Sequence, residues 1–303
     1  MNSKELNARV LAACLWLAGH RMPHGGIMGS NHDRRAYPEV TGYLIPSMFN
    51  FGLKAMAYRS AAWLIETQCP ICGGWPGWGE NNCANKGACR SFDTSAIIEG
   101  LEFLAFRAGD TRVPESYYQS LFAARECLKD MIETDPVSGK SFMAVFKGGD
   151  SPQAYNLRSA AILERGYDYW LDKLSVDDIP WIFGSTERIH YIAYALEGLA
   201  ILERMKEHER LLSKLRTLDR PFDFAYSRGI KNWAEPTRSG ICVVGNFQMS
   251  VQLNDVELFD SMARTQLASG GFPAVASDPT VELAWPIKYF LEGAMHFYGA
   301  GLE

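Results

Sequence analysis

Three times along the chain a glutamate followed by glycine sits inside an apolar helical run: Ile97-Ile98-Glu99-Gly100-Leu101, Ala195-Leu196-Glu197-Gly198-Leu199 and Phe290-Leu291-Glu292-Gly293-Ala294. Recurrence at intervals of roughly two helix pairs marks a repeat architecture. A glycine at the same point of each helix lets neighbouring backbones approach closely. A second similarity runs alongside: Gln68 followed by Gly73-Gly74-Trp75-Pro76 matches Gln266 followed by Gly270-Gly271-Phe272-Pro273, a helix end and a wide turn before the next Glu-Gly helix. Apolar helices alternating with amphipathic ones across such turns predict an all-α fold. The expected form is an (α/α) toroid of about five to six helical hairpins, apolar helices inside and charged ones outside.

The 3.6-residue periodicity predicts helices over residues 3–20, 41–50, 53–68, 94–108, 115–133, 156–173, 190–204, 207–218, 243–253, 256–269 and 281–299. Thr41 and Asp93 are the expected N-caps of two of them, and Pro46 either kinks its helix or marks its first turn. Strand signals are almost absent. No linker or low-complexity stretch divides the chain, which predicts one domain over residues 1–303 with residues 69–92 as a cysteine-rich loop insertion.

Hydrophobic residues make up 47% of the 303, enough for a sizeable core, and the net charge of -5 lacks the basic excess that nucleic-acid binding leaves. No apolar run has the length of a membrane span, and the N-terminal segment alternates charged and apolar residues instead of building the apolar centre of a secretory signal. The expectation is a cytoplasmic protein with no nucleic-acid or membrane partner.

Cys69, Cys72, Cys83 and Cys89 form a C-x2-C-x10-C-x5-C cluster in one polar loop, and Cys14, Cys127 and Cys242 sit singly in or beside apolar segments as buried thiols. Four thiolates close together suit a tetrahedral zinc, and with every ligand a cysteine no position is left for water, so the metal's role is structural. Disulfides, free thiols and an iron–sulfur cluster are the alternatives.

Several stretches resemble a bacterial family associated with polysaccharide biosynthesis, itself similar to six-hairpin glycosidases and to terpenoid-cyclase and prenyltransferase toroids. They are Tyr37-Pro38-Glu39-Val40-Thr41-Gly42-Tyr43, Phe92-Asp93-Thr94, the segment from Cys242 to Gln248, and that from Glu282 to Phe290. The cysteine insertion is a departure from that family.

The resemblance implies that chemistry is presented from the loops leading into inner helices. There the ionisable candidates for catalysis are Glu39, Tyr43, Asp93, His190 and Glu282. Glu39, Asp93 and Glu282 offer a carboxylate pair for glycoside hydrolysis. Tyr43 or His190 would instead serve proton abstraction beside a uronate carboxyl, in a lyase or epimerase. Asp33, Arg158, Arg188, Asn246, Gln248 and Lys288 are candidate substrate-binding groups, and Trp75, Trp78, Trp233 and Trp285 candidate sugar-stacking surfaces. Each has a plainer role to weigh against it: capping for Asp93, helix-dipole complementation for Glu39, core packing for His190 and the tryptophans. Glu99, Glu197 and Glu292 read as a structural set outside the site.

The reading is a carbohydrate-active enzyme acting on a saccharide, with uronic-acid-containing ones among the candidates, by acid–base catalysis of the hydrolase, lyase or epimerase type. The alternative is a non-catalytic toroid scaffold, which expects an exposed apolar patch around Ile71, Trp75 and Trp78. A terpenoid-cyclase activity is disfavoured because no D-x-D-D or D-D-x-x-D cluster occurs.

Overall fold

A computed structural model describes residues 1–77, 89–107, 113–149, 152–175, 189–216 and 242–300. Twelve α-helices occur among the described residues, and they alternate. α2 (Pro38–Asn50), α4 (Ser91–Glu102), α6 (Asn156–Leu163), α8 (Ile189–Ile201), α10 (Val243–Leu253) and α12 (Ala284–Tyr298) each touch the next, and α12 returns to α2, which closes a ring. α1 (Ser3–Gly19), α3 (Lys54–Thr67), α5 (Glu115–Lys129), α7 (Asp168–Ser175), α9 (Met205–Arg216) and α11 (Val256–Ala263) precede them one by one and form the outer layer. The protein is thus an (α/α) toroid of six outer-to-inner hairpins. Among the described residues no helix is long and apolar enough to cross a membrane.

The reason lies in the two helix types. α2, α4, α6 and α10 are buried on nearly every side, as helices enclosed by a second layer must be. α1 and α5 bury single stripes, Leu6, Val10, Ala13, Cys14 and Leu17 in the first and Tyr117, Leu121, Ala124 and Leu128 in the second. Two of the Glu-Gly glycines act between inner helices: a Cβ on Gly100 would stand 2.1 Å from the carbonyl oxygen of Gly42, and one on Gly198 would stand 2.7 Å from the backbone of Leu157. Gly293 differs, facing the ring of Phe259 on outer helix α11.

The paired turns share their hydrogen bonds as well as their sequence. Cys69 N–H donates to Gly74 O and Gly73 N–H to Cys69 O, both at 2.9 Å; Leu267 N–H donates to Gly271 O and Gly270 N–H to Leu267 O, also at 2.9 Å. The amide of Gln68 donates to Gly73 O at 2.6 Å, and that of Gln266 to Gly270 O at 3.0 Å. Gly73 and Gly270 have φ of 80° and 91°, and each lies against a carbonyl of an outer helix, Ala123 and Ala12, where a side chain would collide. A third copy is hidden in the sequence at Met22–Gly26, where Met22 N–H donates to Gly26 O at 2.8 Å and Gly25 N–H to Met22 O at 2.9 Å. There the hydroxyl of Ser60, from α3, replaces the glutamine and donates to Gly25 O at 2.7 Å.

Several predicted boundaries are corrected. Pro38 opens α2 at its first turn, Pro46 lies inside it, and Thr41 is not its cap: the Thr41 hydroxyl donates to Tyr37 O and accepts from Ile27 N–H. The single helix expected over residues 156–173 is an inner–outer hairpin, α6 and α7, broken where Glu164 and Gly166 take φ of 57° and 73°. α4 continues into a π-helical turn, Phe103–Arg107. Two antiparallel hairpins also form, β1 (Ile132–Thr134) with β2 (Ser141–Met143) and β3 (Phe272–Val275) with β4 (Asp278–Leu283). Residues 281–283, expected in the last helix, therefore belong to a strand.

Candidate active site

Each outer-to-inner connection is longer in sequence than any inner-to-outer one, and the inner helices begin at one end of the ring. At that end the N-terminal turns of the inner helices surround a cleft. Its walls are Tyr37 and Glu39 from α2, Arg90, Phe92 and Asp93 at α4, Tyr155 before α6, His190, Tyr191 and Tyr194 from α8, Val244 from α10, and Leu283 and Trp285 at α12. Since all six inner helices present their starts to one cleft, they run parallel, and their partial positive ends converge there.

Two carboxylates stand in this aromatic wall, Glu39 and Asp93, both buried. Trp285 Nε1 donates to Glu39 Oε1 at 3.3 Å, and Tyr37 Oη donates to Asp93 Oδ1 at 3.4 Å. Burial first, and the Asp93 charge second, hold the proton affinity of Glu39 well above the usual carboxylate range. Both causes disfavour the charged form of Glu39. Asp93 does not cap α4, whose N-cap is Arg90 without a side-chain bond; it lies one turn in and faces the cleft.

The other predicted residues divide. His190 lines the cleft, its ring 4.5 Å from that of Tyr191, and so does Trp285. Tyr43 is buried behind the cleft wall; burial and then Glu39 push its phenol well above its ordinary pKa, so it keeps its proton. Glu282 does not reach the cleft. It accepts from Trp16 Nε1 at 2.5 Å and from Ser269 Oγ at 2.7 Å, on the strand face opposite Leu283. Asp33 pairs with Arg35 within its loop, Oδ2 to Nη2 2.5 Å, and is not among the cleft residues. Trp75 is a core residue instead of a stacking surface, fully buried with its indole N–H on Leu64 O at 2.7 Å. Asn246 is buried in the first turn of α10, donating to Cys242 O at 2.7 Å. Arg158, Gln248 and Lys288 line a different cavity, further along the ring axis. Trp78, Cys83, Arg188 and Trp233 lie outside the described residues.

Sequence reading missed the aromatic half of the cleft, Tyr37, Phe92, Tyr155, Tyr191 and Tyr194, although Tyr37 and Phe92 stand next to residues it selected. It also set aside Glu99, Glu197 and Glu292, which the ring brings together around the second cavity. Their repetition was the available signal: a polar residue recurring in helices otherwise buried faces the axis.

In the cysteine loop, the sulfurs of Cys69, Cys72 and Cys89 lie within 4.8 Å of one another, a donor set that fits a thiolate-bound metal. Cys14, Cys127 and Cys242 are buried as expected. Burial raises the Cys14 thiol to about 11. The patch expected of a scaffold protein is not formed by Trp75, and Ile71 is its exposed member among the described residues.

Solved structures with the same fold include a glycosidase at 11% identity and a TM-score of 0.66, covering 98% of this chain and 99% of that one. A glycosidase variant in complex with glucose is similar at 12% identity and a TM-score of 0.65, again covering 98% and 99%. A type II terpene cyclase from Scytonema aligns at 12% identity and a TM-score of 0.52, over 98% of each chain. At such identities the likeness establishes the toroid and nothing of the reaction. No protein-family model matches the sequence, and a search of curated proteins finds no match.

Proposed function

We propose that the protein is a carbohydrate-active enzyme that takes a saccharide into the cleft at the N-terminal end of the inner ring and acts on it with Glu39 and Asp93. The observation that carries this reading is the pair of buried carboxylates in one aromatic-lined cleft, where burial and then the Asp93 charge raise the proton affinity of Glu39. In hydrolysis, protonated Glu39 gives its proton to the glycosidic oxygen, and ionised Asp93, oriented by Tyr37, acts on the opposite side of the ring as base or nucleophile. Aromatic faces from Tyr155, Tyr191 and Trp285 supply stacking surface.

An anionic sugar is supported by two features, the guanidinium of Arg90 in the wall and the converging helix N-termini. With His190 in reach, elimination or epimerisation beside a uronate carboxyl uses the same groups. The motif resemblance supports a place in bacterial polysaccharide biosynthesis. The thiol cluster supports a structural zinc on Cys69, Cys72 and Cys89, with Cys83 the fourth thiolate read from the sequence.

The test is product analysis of purified protein with neutral and uronic-acid oligosaccharides, following reducing ends for hydrolysis and ultraviolet absorbance for an unsaturated uronate. Glu39→Gln and Asp93→Asn are each expected to lower turnover by roughly 10²- to 10⁴-fold. Turnover that survives both substitutions, or no turnover and no binding with any saccharide, sinks the reading.

A further inference from the structure

We propose that Arg90 and Gly77 determine which sugar the cleft takes, Arg90 binding the carboxylate of a uronic acid and Gly77 making the room in which its guanidinium lies. The inference rests on the saccharide reading above and deepens it by naming the recognised group and the residues that set it.

The repeat shows that Arg90 is a variable place on a constant backbone. Each of the three turns, Met22–Gly26, Cys69–Gly74 and Leu267–Gly271, leads into an antiparallel pairing: Met28 with Ala36, Pro76 with Cys89 and Pro273 with Glu282. The residue after the second partner is the N-cap of an inner helix, Tyr37 of α2, Arg90 of α4 and Leu283 of α12, and all three line the cleft. Tyr37 N–H donates to Ile27 O at 2.9 Å, and Arg90 N–H donates to the matching Trp75 O at 3.2 Å. None of the three side chains caps its helix, so the fold asks for no particular residue there. A phenol, a guanidinium and an apolar chain stand at equivalent places around one cleft.

Gly77 is matched to Arg90. The residue after the proline is Gly77 in the copy that carries Arg90, and Ala274 in the copy that carries Leu283. A Cβ on Gly77 would stand 2.8 Å from Arg90 Nε and 2.9 Å from its Cζ, so the guanidinium lies against the Gly77 backbone where an alanine would displace it. Burial first, then the charges of Asp93 and Glu39, push the Tyr37 phenol up, and the Arg90 charge opposes them, which places that charge near Tyr37 in the cleft wall. A planar fork of N–H donors matches the two oxygens of a carboxylate. Glu39 and Asp93 repel an anion in the same cleft, so an acidic sugar is held with its carboxylate at Arg90, aided by the positive ends of the inner helices.

The experiment is calorimetric titration of the whole chain at neutral pH with D-glucuronate, D-glucose and D-glucose 6-phosphate. Glucuronate is expected to bind about tenfold or more tighter than glucose. Glucose 6-phosphate, whose second charge meets more of the repulsion from Glu39 and Asp93, is expected to bind more weakly than glucuronate. Arg90→Gln and Gly77→Ala are each expected to lower the ratio of glucuronate to glucose affinity by about tenfold. The Gly77 Cβ meets the far end of a flexible side chain and no backbone atom, so Gly77→Ala keeps the test valid if Arg90→Gln does not fold. A purely structural role would weaken both sugars together and leave their ratio unchanged. Equal binding of glucuronate and glucose, tighter binding of glucose 6-phosphate, or an unchanged ratio in a folded variant overturns the inference and leaves the saccharide reading standing. Binding of none of the three also overturns it, and the oligosaccharide test above then decides the saccharide reading separately.

Discussion

Trp285 donates its indole N–H to Oε1 of Glu39 across 3.3 Å, joining the first turns of α12 and α2 where the last hairpin closes on the first. The bond steadies the ionised form of Glu39 and opposes the burial that raises its proton affinity. Trp285→Phe removes the donor and keeps an aromatic ring. Glu39 is expected to titrate at still higher pH in that variant, as read by carbon-13 carboxyl resonances; an unchanged or lower midpoint contradicts the assignment.

Glu39 also makes stability depend on pH. Its folded pKa lies above the ordinary 4.5, so the folded protein holds a proton that the unfolded chain releases between the two values. The contribution is complete below 4.5 and is lost as pH rises through the folded pKa, at about 1.4 kcal/mol for each pH unit between them. Glu39→Gln is expected to flatten this fall, so that denaturation curves of variant and parent converge toward acid and separate, with the variant more stable, toward neutral pH.

Gly100 and Gly198 set the spacing of inner helices. An alanine at either meets backbone, at 2.1 Å from Gly42 O or 2.7 Å from Leu157, and a helix cannot yield as a side-chain tip does. Each substitution is expected to cost about 1–3 kcal/mol or more in urea denaturation. Gly139→Ala, with nothing within 4 Å but a φ of 67°, tests backbone strain alone and is expected to cost less.

The glutamine-braced turns predict a matched pair of effects. Gln68 donates to Gly73 O and Ser120 O, and Gln266 to Gly270 O and Arg9 O, so each amide ties a turn to the next outer helix. Gln68→Leu and Gln266→Leu each leave two carbonyls without that donor, and losses of about 1–3 kcal/mol are expected in thermal unfolding. A loss in one variant and none in the other would show that the two turns are not equivalent.

Metal removal is expected to destabilise the loop end of the ring. Elemental analysis should find zinc bound to the purified protein, chelation should lower the melting temperature, and Cys89→Ser should reduce metal content. Full zinc occupancy in Cys89→Ser would exclude that thiol as a ligand.

Repetition and helical period in the sequence determined the layered toroid, the alternation of inner and outer helices, the glutamine turns and the cysteine cluster, because each is a local pattern that recurs. Only the tertiary structure decided which polar residues share a site. Glu282 and Leu283 are adjacent, but in a strand neighbouring side chains take opposite faces, so one goes to Trp16 and the other to the cleft. Asp93 reads locally as a cap, yet α4 begins earlier and turns it inward. Glu99, Glu197 and Glu292 occupy matching places in their helices, but their convergence depends on α4, α8 and α12 standing parallel around one axis. Ring closure sets those positions, and it is a long-range packing outcome that no single segment encodes.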